Sequence, residues 1–190
     1  HTMRGLVPRS ACPHGRLAGQ SWLAPLRRLL FLGTPHHGAP LERGGHGLEA
    51  LIGATPYASA LAHLGRLRSA GITDLRHGNL LDEDWQGRDR FAREGDRRRP
   101  VPLPAGVECH VLAATKGKRT GDLRDQLLGD GLVPLASALG EHADPAFDLR
   151  LPDSRRWIAC GASHLELLSS RAVYEQLRER AWARGIRLAS

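Results

Sequence analysis

The sequence predicts an α/β protein in which short buried strands alternate with helices. Two strongly apolar runs, at residues 29–32 and 107–114, are typical of strands that are covered on both faces of a parallel sheet. Each run ends in a polar loop that contains glycine, and a third run at residues 156–160 ends in the same way. Apolar residues at helical spacing over residues 165–184 predict an amphipathic C-terminal helix. This alternation is typical of the second half of a doubly wound α/β domain.

Three further elements are expected along the chain. Residues 6–12 place apolar side chains on one face of a helix. The proline at position 8 is tolerated only near the first turn, and the helix is expected to end at Pro13. A short helix is expected over residues 135–139, because a proline that can open a helix precedes it. Residues 147–151 predict one more strand. The length of 190 residues suits one domain, or a large part of one.

The chain is expected to form a single partial domain over residues 1–190. Residues 41–105 are expected to form an insert of helices and loops within this domain. Short helices are predicted in it at residues 48–52, 57–68 and 69–76. Residues 78–104 are polar and rich in arginine, which predicts an exposed loop. Helices inserted between two strands form a cap or lid in many enzymes, but a plain packing insert fits the pattern equally well.

The chain carries an excess of positive charge, with 27 Lys and Arg against 20 Asp and Glu and a formal charge of +7. Nearly all of it is arginine mixed with acidic residues, and only the run at residues 97–99 is dense. Nucleic-acid binders instead concentrate charge on one face and interleave aromatic residues, which are only 5% of this chain. A solvated surface with one anion-attracting patch is therefore preferred, and a nucleic-acid-binding module is the weaker alternative.

Cysteine spacing and hydropathy indicate whether the chain is a disulfide-bonded, metal-binding, membrane or secreted protein. Cys12, Cys109 and Cys160 are odd in number and far apart, so neither a disulfide framework nor a metal site with paired cysteines is expected. Cys109 and Cys160 lie in apolar runs and are expected to be buried. No run reaches the roughly 18 apolar residues of a membrane span, and no signal peptide is visible, which favours a cytoplasmic protein.

Two titratable residues stand at predicted junctions between a strand and a helix. Asp130 lies between two glycines, and His164 follows the strand at residues 156–160. In nucleophilic hydrolases a histidine takes the proton of a weak nucleophile, while a carboxylate fixes its tautomer and stabilises the imidazolium. An acid followed by a histidine near the C-terminus is the order of the last two triad members in α/β-hydrolases. The alternatives are a turn-forming aspartate and a capping or surface histidine.

Four stretches together closely resemble the lipase-like α/β-hydrolases, in particular the bacterial relatives of the inositol-deacylase group. The nucleophile elbow of that family reads Gly-His-Ser-Met-Gly-Gly-Leu-Val-x-Arg, and residues 1–9 (His-Thr-Met-Arg-Gly-Leu-Val-Pro-Arg) align with it from its second residue. Residues 32–41 (Leu-Gly-Thr-Pro-His-His-Gly-Ala-Pro-Leu) resemble the next strand and its loop. Residues 130–138 (Asp-Gly-Leu-Val-Pro-Leu-Ala-Ser-Ala) resemble the acid segment, and residues 163–168 (Ser-His-Leu-Glu-Leu-Leu) the histidine segment. The resemblance covers essentially the whole chain.

The resemblance implies an ester hydrolase with a nucleophile–Asp–His triad. Thr2 occupies the nucleophile position, Asp130 that of the acid and His164 that of the base. The backbone N–H of Met3 would donate to the oxyanion. The oligomeric state stays open. The substrate would be a small-molecule or lipid carboxylic ester, and this chemistry requires no cofactor and no metal.

The same resemblance assigns three further residues to the substrate pocket. Thr34, His36 and His37 would line its floor or wall. A structural or substrate-contacting role is expected for the two histidines rather than a catalytic one, because His164 already matches the base.

Two departures from the family pattern leave a second hypothesis open. Thr2 replaces the serine of the family, and its extra methyl group restricts χ1 in a tight elbow. Arg4 replaces a glycine that lets strand and helix approach each other. The resemblance also begins at the elbow, so the earlier strands of the family and its second oxyanion donor are expected to precede the chain. The second hypothesis is therefore a non-catalytic, degenerate or truncated relative of the α/β-hydrolases.

Overall fold

The computed structural model describes residues 3–39, 78, 80–84, 98–117 and 129–182, without the side chains of Met3, Arg4 and Asp82. Thr2 and the helices expected at residues 48–52, 57–68 and 69–76 lie outside the described residues. The described part of the chain forms a three-stranded parallel sheet with helices packed on both faces. This is the α/β class that the sequence predicts.

The three strands are parallel and lie in chain order, so the second strand is central. They are β1 (Arg28–Leu32), β2 (Glu108–Thr115) and β3 (Arg156–Cys160). The bounds agree with the predicted ones to within one residue. β2 is buried along nearly its whole length, because apolar clusters cover both of its faces. Since the strands are parallel, their carboxyl ends meet at one edge of the sheet.

The described α-helices are α1 (Met3–Leu17), α2 (Leu135–Leu139) and α3 (Arg171–Trp182). The bounds of α2 are those predicted, whereas the predicted end of α1 at Pro13 is wrong, since the helix continues with both prolines inside it. Each proline removes one backbone N–H donor from the helix. None of the described helices is long and apolar enough to cross a membrane.

The C-terminal helix is shorter than its apolar pattern predicts. α3 starts at Arg171, and Glu166–Leu168 forms a separate 3₁₀ turn. The break falls at two serines, where the Oγ of Ser170 accepts a hydrogen bond from the backbone N–H of Val173 at 3.5 Å, as at the beginning of a helix. Leu168 consequently lies outside α3 and is 61% exposed.

Residues 147–151 do not form the predicted strand. The Asp148 carboxylate accepts hydrogen bonds from the backbone N–H groups of His142 and Arg150, at 3.4 and 2.6 Å. Arg150 has a φ of 49°, which lies in the left-handed region and is incompatible with a strand. These local hydrogen bonds hold a turn, and Leu151 reaches the core from a loop instead.

Two apolar clusters lie on opposite faces of β2, because successive residues of a strand point to opposite sides. The cluster beneath α2 includes Phe31, Cys109, Val111, Ala113, Ala138 and Leu139. The cluster beneath α3 includes Leu112, Ala114, Ala159, Leu167 and Val173. Cys109 is buried as predicted, but Cys160 is exposed, because it is the last residue of β3 and lies beyond the core.

The segment at residues 78–104 is predicted to be an exposed loop, and this prediction is wrong for several of the residues that the structure describes. Gly78, Asp84 and Val101 are buried. The Asp84 carboxylate accepts hydrogen bonds from three backbone N–H groups, those of Leu80, Leu81 and Arg99. A buried carboxylate needs such partners, and here they tie two stretches of this segment together.

Candidate functional site

Loops that follow different strands meet at the carboxyl edge of the sheet. After β1, Gly33 donates its backbone N–H to the carbonyl of Leu112 in β2, at 2.8 Å. After β3, the backbone N–H of His164 donates to the carbonyl of Asp130, at 3.2 Å. The second of these hydrogen bonds holds the backbone of His164 against that of Asp130.

Asp130 and His164 form a buried, hydrogen-bonded pair. The distance between Oδ2 of Asp130 and Nδ1 of His164 is 2.5 Å. The two residues are 2% and 1% exposed. The structure therefore brings together the two residues that the sequence assigns to the acid and the base.

The turn around Asp130 fixes the direction of its carboxylate. Oδ1 accepts hydrogen bonds from the backbone N–H groups of Leu132 (3.0 Å) and Val133 (2.8 Å), which leaves Oδ2 for His164. Gly129 has a φ of 49°, and a Cβ there would overlap the carbonyl oxygen of Val133, so this turn requires glycine. Because the carboxylate only accepts hydrogen bonds, Nδ1 of His164 carries a proton, and in the neutral ring the lone pair lies on Nε2.

The ring of His164 packs directly on the backbone of Gly33. Gly33 has a φ of 54°, and a Cβ there would lie 2.9 Å from both Cε1 of His164 and Cδ1 of Leu167. Only glycine lets the ring lie this close to the end of β1. Sequence reasoning missed this role, and the signal that could have found it was the glycine at the break between strand and loop. Glu166 further fixes this segment by accepting a 2.6 Å hydrogen bond from the backbone N–H of Ser163.

The first turns of α1 pack against the same loop after β1. A Cβ on Gly5 would overlap Oγ1 of Thr34, so glycine is required where the helix meets the end of the strand. Gly5, one position after Arg4, thus permits the close approach of α1 to the loop after β1. Sequence reasoning missed this role of Gly5. Met3, whose N–H is the expected oxyanion donor, is the first residue of α1, and Thr2 lies outside the described residues.

Thr34 and His36, two of the predicted pocket residues, are almost completely buried, with 0% and 1% exposure. The His36 ring packs edge-on against Phe31, with ring centroids 4.8 Å apart. Burial and then the charge of Arg9 hold the pKa of His36 well below its usual value. Burial also lowers the pKa of His37 to about 4. The structural role and the substrate-contacting role of His36 both stay predictions.

Arg9 is a buried residue that sequence reasoning missed, and only 3% of it is exposed. Its guanidinium donates hydrogen bonds to the carbonyl oxygen of Val101 (2.5 Å), and to the carbonyl oxygen (3.3 Å) and Nδ1 (3.2 Å) of His36. Burial and then the charge of Arg98 lower the pKa of Arg9 to about 10, so it stays charged at neutral pH. The signal that could have found it was the arginine at the end of the elbow motif. Arg9 joins α1 to the loop after β1.

This arrangement can act as a general base whose tautomer is fixed by a carboxylate. Among the residues that the structure describes, no group of three or more His, Cys, Asp or Glu side chains could hold a metal ion. No protein-family model, curated protein or solved structure matches the chain. The class is therefore defined by geometry alone, as an α/β protein with a buried Asp–His pair at the carboxyl edge of a parallel sheet.

Proposed function

We propose that this chain is a hydrolase of carboxylic esters, and that its sheet is the C-terminal part of an α/β-hydrolase fold. The observation that carries the proposal is the 2.5 Å contact between Oδ2 of Asp130 and Nδ1 of His164. Both residues are buried at the sheet edge where parallel α/β proteins bind ligands. The sequence resemblance at residues 1–9 and 32–41 supports the same assignment.

In the proposed reaction, Nε2 of His164 takes the hydroxyl proton of Thr2 while the oxygen of Thr2 attacks the ester carbonyl carbon. The Asp130 carboxylate stabilises the resulting imidazolium, and the N–H of Met3 donates to the oxygen that becomes negative. When the intermediate collapses, the alcohol leaves with the proton from His164, and the acyl group stays on Thr2. Water then gives a proton to His164 and attacks the acyl carbon. The bond between that carbon and the oxygen of Thr2 breaks, His164 returns its proton to that oxygen, and the carboxylic acid leaves.

The substrate class that this chemistry requires is a carboxylic ester, from a small molecule or a lipid. The Asp130–His164 pair supplies proton transfer and orientation and does not select the acyl group or the alcohol. The first test therefore uses a short-chain nitrophenyl ester, because its good leaving group makes slow turnover measurable.

His164→Ala removes the general base, so we expect hydrolysis of the nitrophenyl ester to fall by about 10²–10⁴-fold. His14→Ala, at an exposed position of α1, is the matched control and should keep the turnover of the unchanged chain. Circular dichroism of both variants confirms that the comparison is made between folded proteins. Full activity in folded His164→Ala would contradict the proposal.

A non-catalytic relative of the α/β-hydrolases is the second candidate, and the observation that favours it is threonine at the nucleophile position. A β-branched side chain restricts χ1, which opposes attack from a tight elbow. Thr2→Ser distinguishes the two candidates. A large gain in ester turnover, lost again when His164→Ala is added, supports an enzyme, whereas no turnover in either the unchanged chain or the Thr2→Ser variant supports a scaffold.

A further inference from the structure

Ser137, in α2, is a buried residue that forms hydrogen bonds with three consecutive residues of the loop after β1. Its Oγ donates to the carbonyl oxygen of Gly38, at 2.7 Å, and accepts from the backbone N–H of His37, at 3.1 Å. Its own carbonyl oxygen accepts from the backbone N–H of His36, at 3.1 Å. Ser137 is only 6% exposed, and burial strengthens these hydrogen bonds. Together they hold the loop after β1 against α2.

Each of the two segments that Ser137 joins supports one member of the proposed catalytic pair. The loop after β1 begins at Gly33, and the ring of His164 packs on the backbone of that glycine. The helix α2 follows closely on the turn of Asp130, because only residues 131–134 lie between that aspartate and the start of the helix. Ser137 therefore fastens the support of the base to the segment that carries the acid.

The ring of His164 contacts both of these supports. Its Nδ1 lies 2.5 Å from Oδ2 of Asp130, and its Cε1 packs on Gly33, where a Cβ would lie only 2.9 Å away. A hydrogen bond at Nδ1 by itself leaves the ring free to tilt about that atom, and the contact at Cε1 limits the tilt. Because Cε1 is bonded directly to Nε2, the position of Gly33 helps to set the direction of the atom that accepts a proton in the proposed reaction.

We propose that Ser137 is a positioning residue for the reaction of the Asp130–His164 pair. By holding the loop after β1 on α2, its hydroxyl keeps Gly33 against the ring of His164 and so directs Nε2 toward the nucleophile. Ser137 acts through that loop and not by contact with the substrate. The inference rests on the proposed function. A purely structural serine would stabilise the same loop without changing the reactivity of the ring, so the two roles differ in turnover and in the state of the His164 proton.

The first test measures hydrolysis of the nitrophenyl ester by Ser137→Ala, in which the carbonyl of Gly38 and the N–H of His37 lose the hydroxyl. We expect kcat to fall by about 10-fold, since a small misplacement of a catalytic group can cost up to about 10²-fold. KM should stay within about twofold, because the proposal gives Ser137 no contact with bound substrate. Ser10→Ala is the matched control and should keep kcat, because Oγ of Ser10 also donates to a loop carbonyl, that of Leu80 at 2.6 Å, but joins α1 to a different segment.

A second measurement needs no turnover and follows the proton on Nδ1 of His164 by ¹H NMR. The short hydrogen bond to Asp130 moves this resonance far downfield and slows its exchange with water. We expect the resonance to move upfield or broaden in Ser137→Ala and to stay in place in Ser10→Ala. Because it is read without substrate, it separates the two possible failures: an unchanged chain that hydrolyses no ester contradicts the proposed function, and its His164 resonance still tests the role of Ser137.

Ser137→Cys covers the case in which Ser137→Ala does not fold, because a thiol fills the space of the hydroxyl but is a weak donor and a weak acceptor. Its kcat and its His164 resonance should change in the same direction as those of Ser137→Ala. A folded variant whose His164 resonance is unchanged would overturn the proposal, and so would one that keeps the kcat of the unchanged chain. Loss of the fold in both variants would overturn it too, because Ser137 would then serve the fold alone.

Discussion

Among the residues that the structure describes, the Oδ1 atom of Asp130 accepts two backbone hydrogen bonds and Oδ2 accepts one, from His164. An asparagine could keep both backbone hydrogen bonds with its carbonyl oxygen. Its amide nitrogen would then donate to Nδ1 of His164, and the ring proton would move to Nε2. Nε2 is the atom that must accept a proton in the proposed reaction, so the substitution would change the chemistry and leave the turn in place.

We expect Asp130→Asn to fold and to hydrolyse the nitrophenyl ester about 10⁴-fold more slowly, as when the carboxylate of a triad becomes an amide. Asp144→Asn is the matched control, because Asp144 also accepts from the N–H of the residue two positions later, Ala146 at 2.9 Å, but on the surface. Undiminished turnover in Asp130→Asn would remove Asp130 from the proposed reaction.

At the scale of elements, the packing of α1 on the end of β1 depends on the absence of a side chain at Gly5. The atom that a Cβ would meet belongs to Thr34, which is fully buried and has no room to move. Gly15 of the same helix differs, because a Cβ there would come nearest to the ring of Trp22, at 2.9 Å, and Trp22 is 43% exposed. The two glycines therefore form a matched pair.

We expect Gly5→Ala to lower the free energy of unfolding by about 1–3 kcal/mol, because it overpacks the contact with Thr34. Gly15→Ala should leave that free energy unchanged or raise it by up to about 1 kcal/mol, because Trp22 can shift and alanine favours the helix. Urea unfolding of both variants measures the difference. Equal effects of the two substitutions would show that the contact between Gly5 and Thr34 is not restrictive.

The strands were predictable from sequence, because a buried parallel strand needs an uninterrupted apolar run, and residues 29–32 and 107–114 provide it. The wrong strand at residues 147–151 has an apolar pattern too, but the side chain of Asp148 binds nearby backbone N–H groups and holds a turn. Local hydrogen bonds of this kind compete with a strand and leave no trace in hydrophobic spacing. The same limit explains the late start of α3 after Ser170.

At the scale of the whole molecule, the buried His36 and the half-buried His37 make the stability depend on pH. Burial lowers the pKa of His37 to about 4 and holds the pKa of His36 well below its usual value. The unfolded chain therefore binds protons on these groups at a higher pH than the folded one, and stability is lost as the pH falls below about 6.5. Hydrogen bonds lower the pKa values of Glu108, Asp148 and Glu166, so these carboxylates lose their contribution only at more acidic pH.

We expect the free energy of unfolding in urea to fall between about pH 7 and pH 5, before the carboxylates titrate. His37→Gln removes one of the responsible groups and should make this decline shallower than in the unchanged chain. The slope is the readout, because the substitution also changes packing. A free energy of unfolding that is constant or rises toward pH 5 would contradict the assignment of buried, uncharged histidines.

The α/β class, the positions of the three strands β1 to β3 and the choice of Asp130 and His164 as a pair follow from the amino-acid sequence, because they depend on local apolar runs and on residues beside glycine turns. Two contacts are visible only in the folded chain: Oδ2 of Asp130 faces Nδ1 of His164, and the buried Arg9 lies against His36. These pairs are separated by 34 and 27 residues in the chain. A local sequence pattern cannot predict such contacts, because they form between residues that are distant in the chain. They depend on the parallel strands, whose following loops meet at one edge of the sheet, and on the burial of the polar groups in contact.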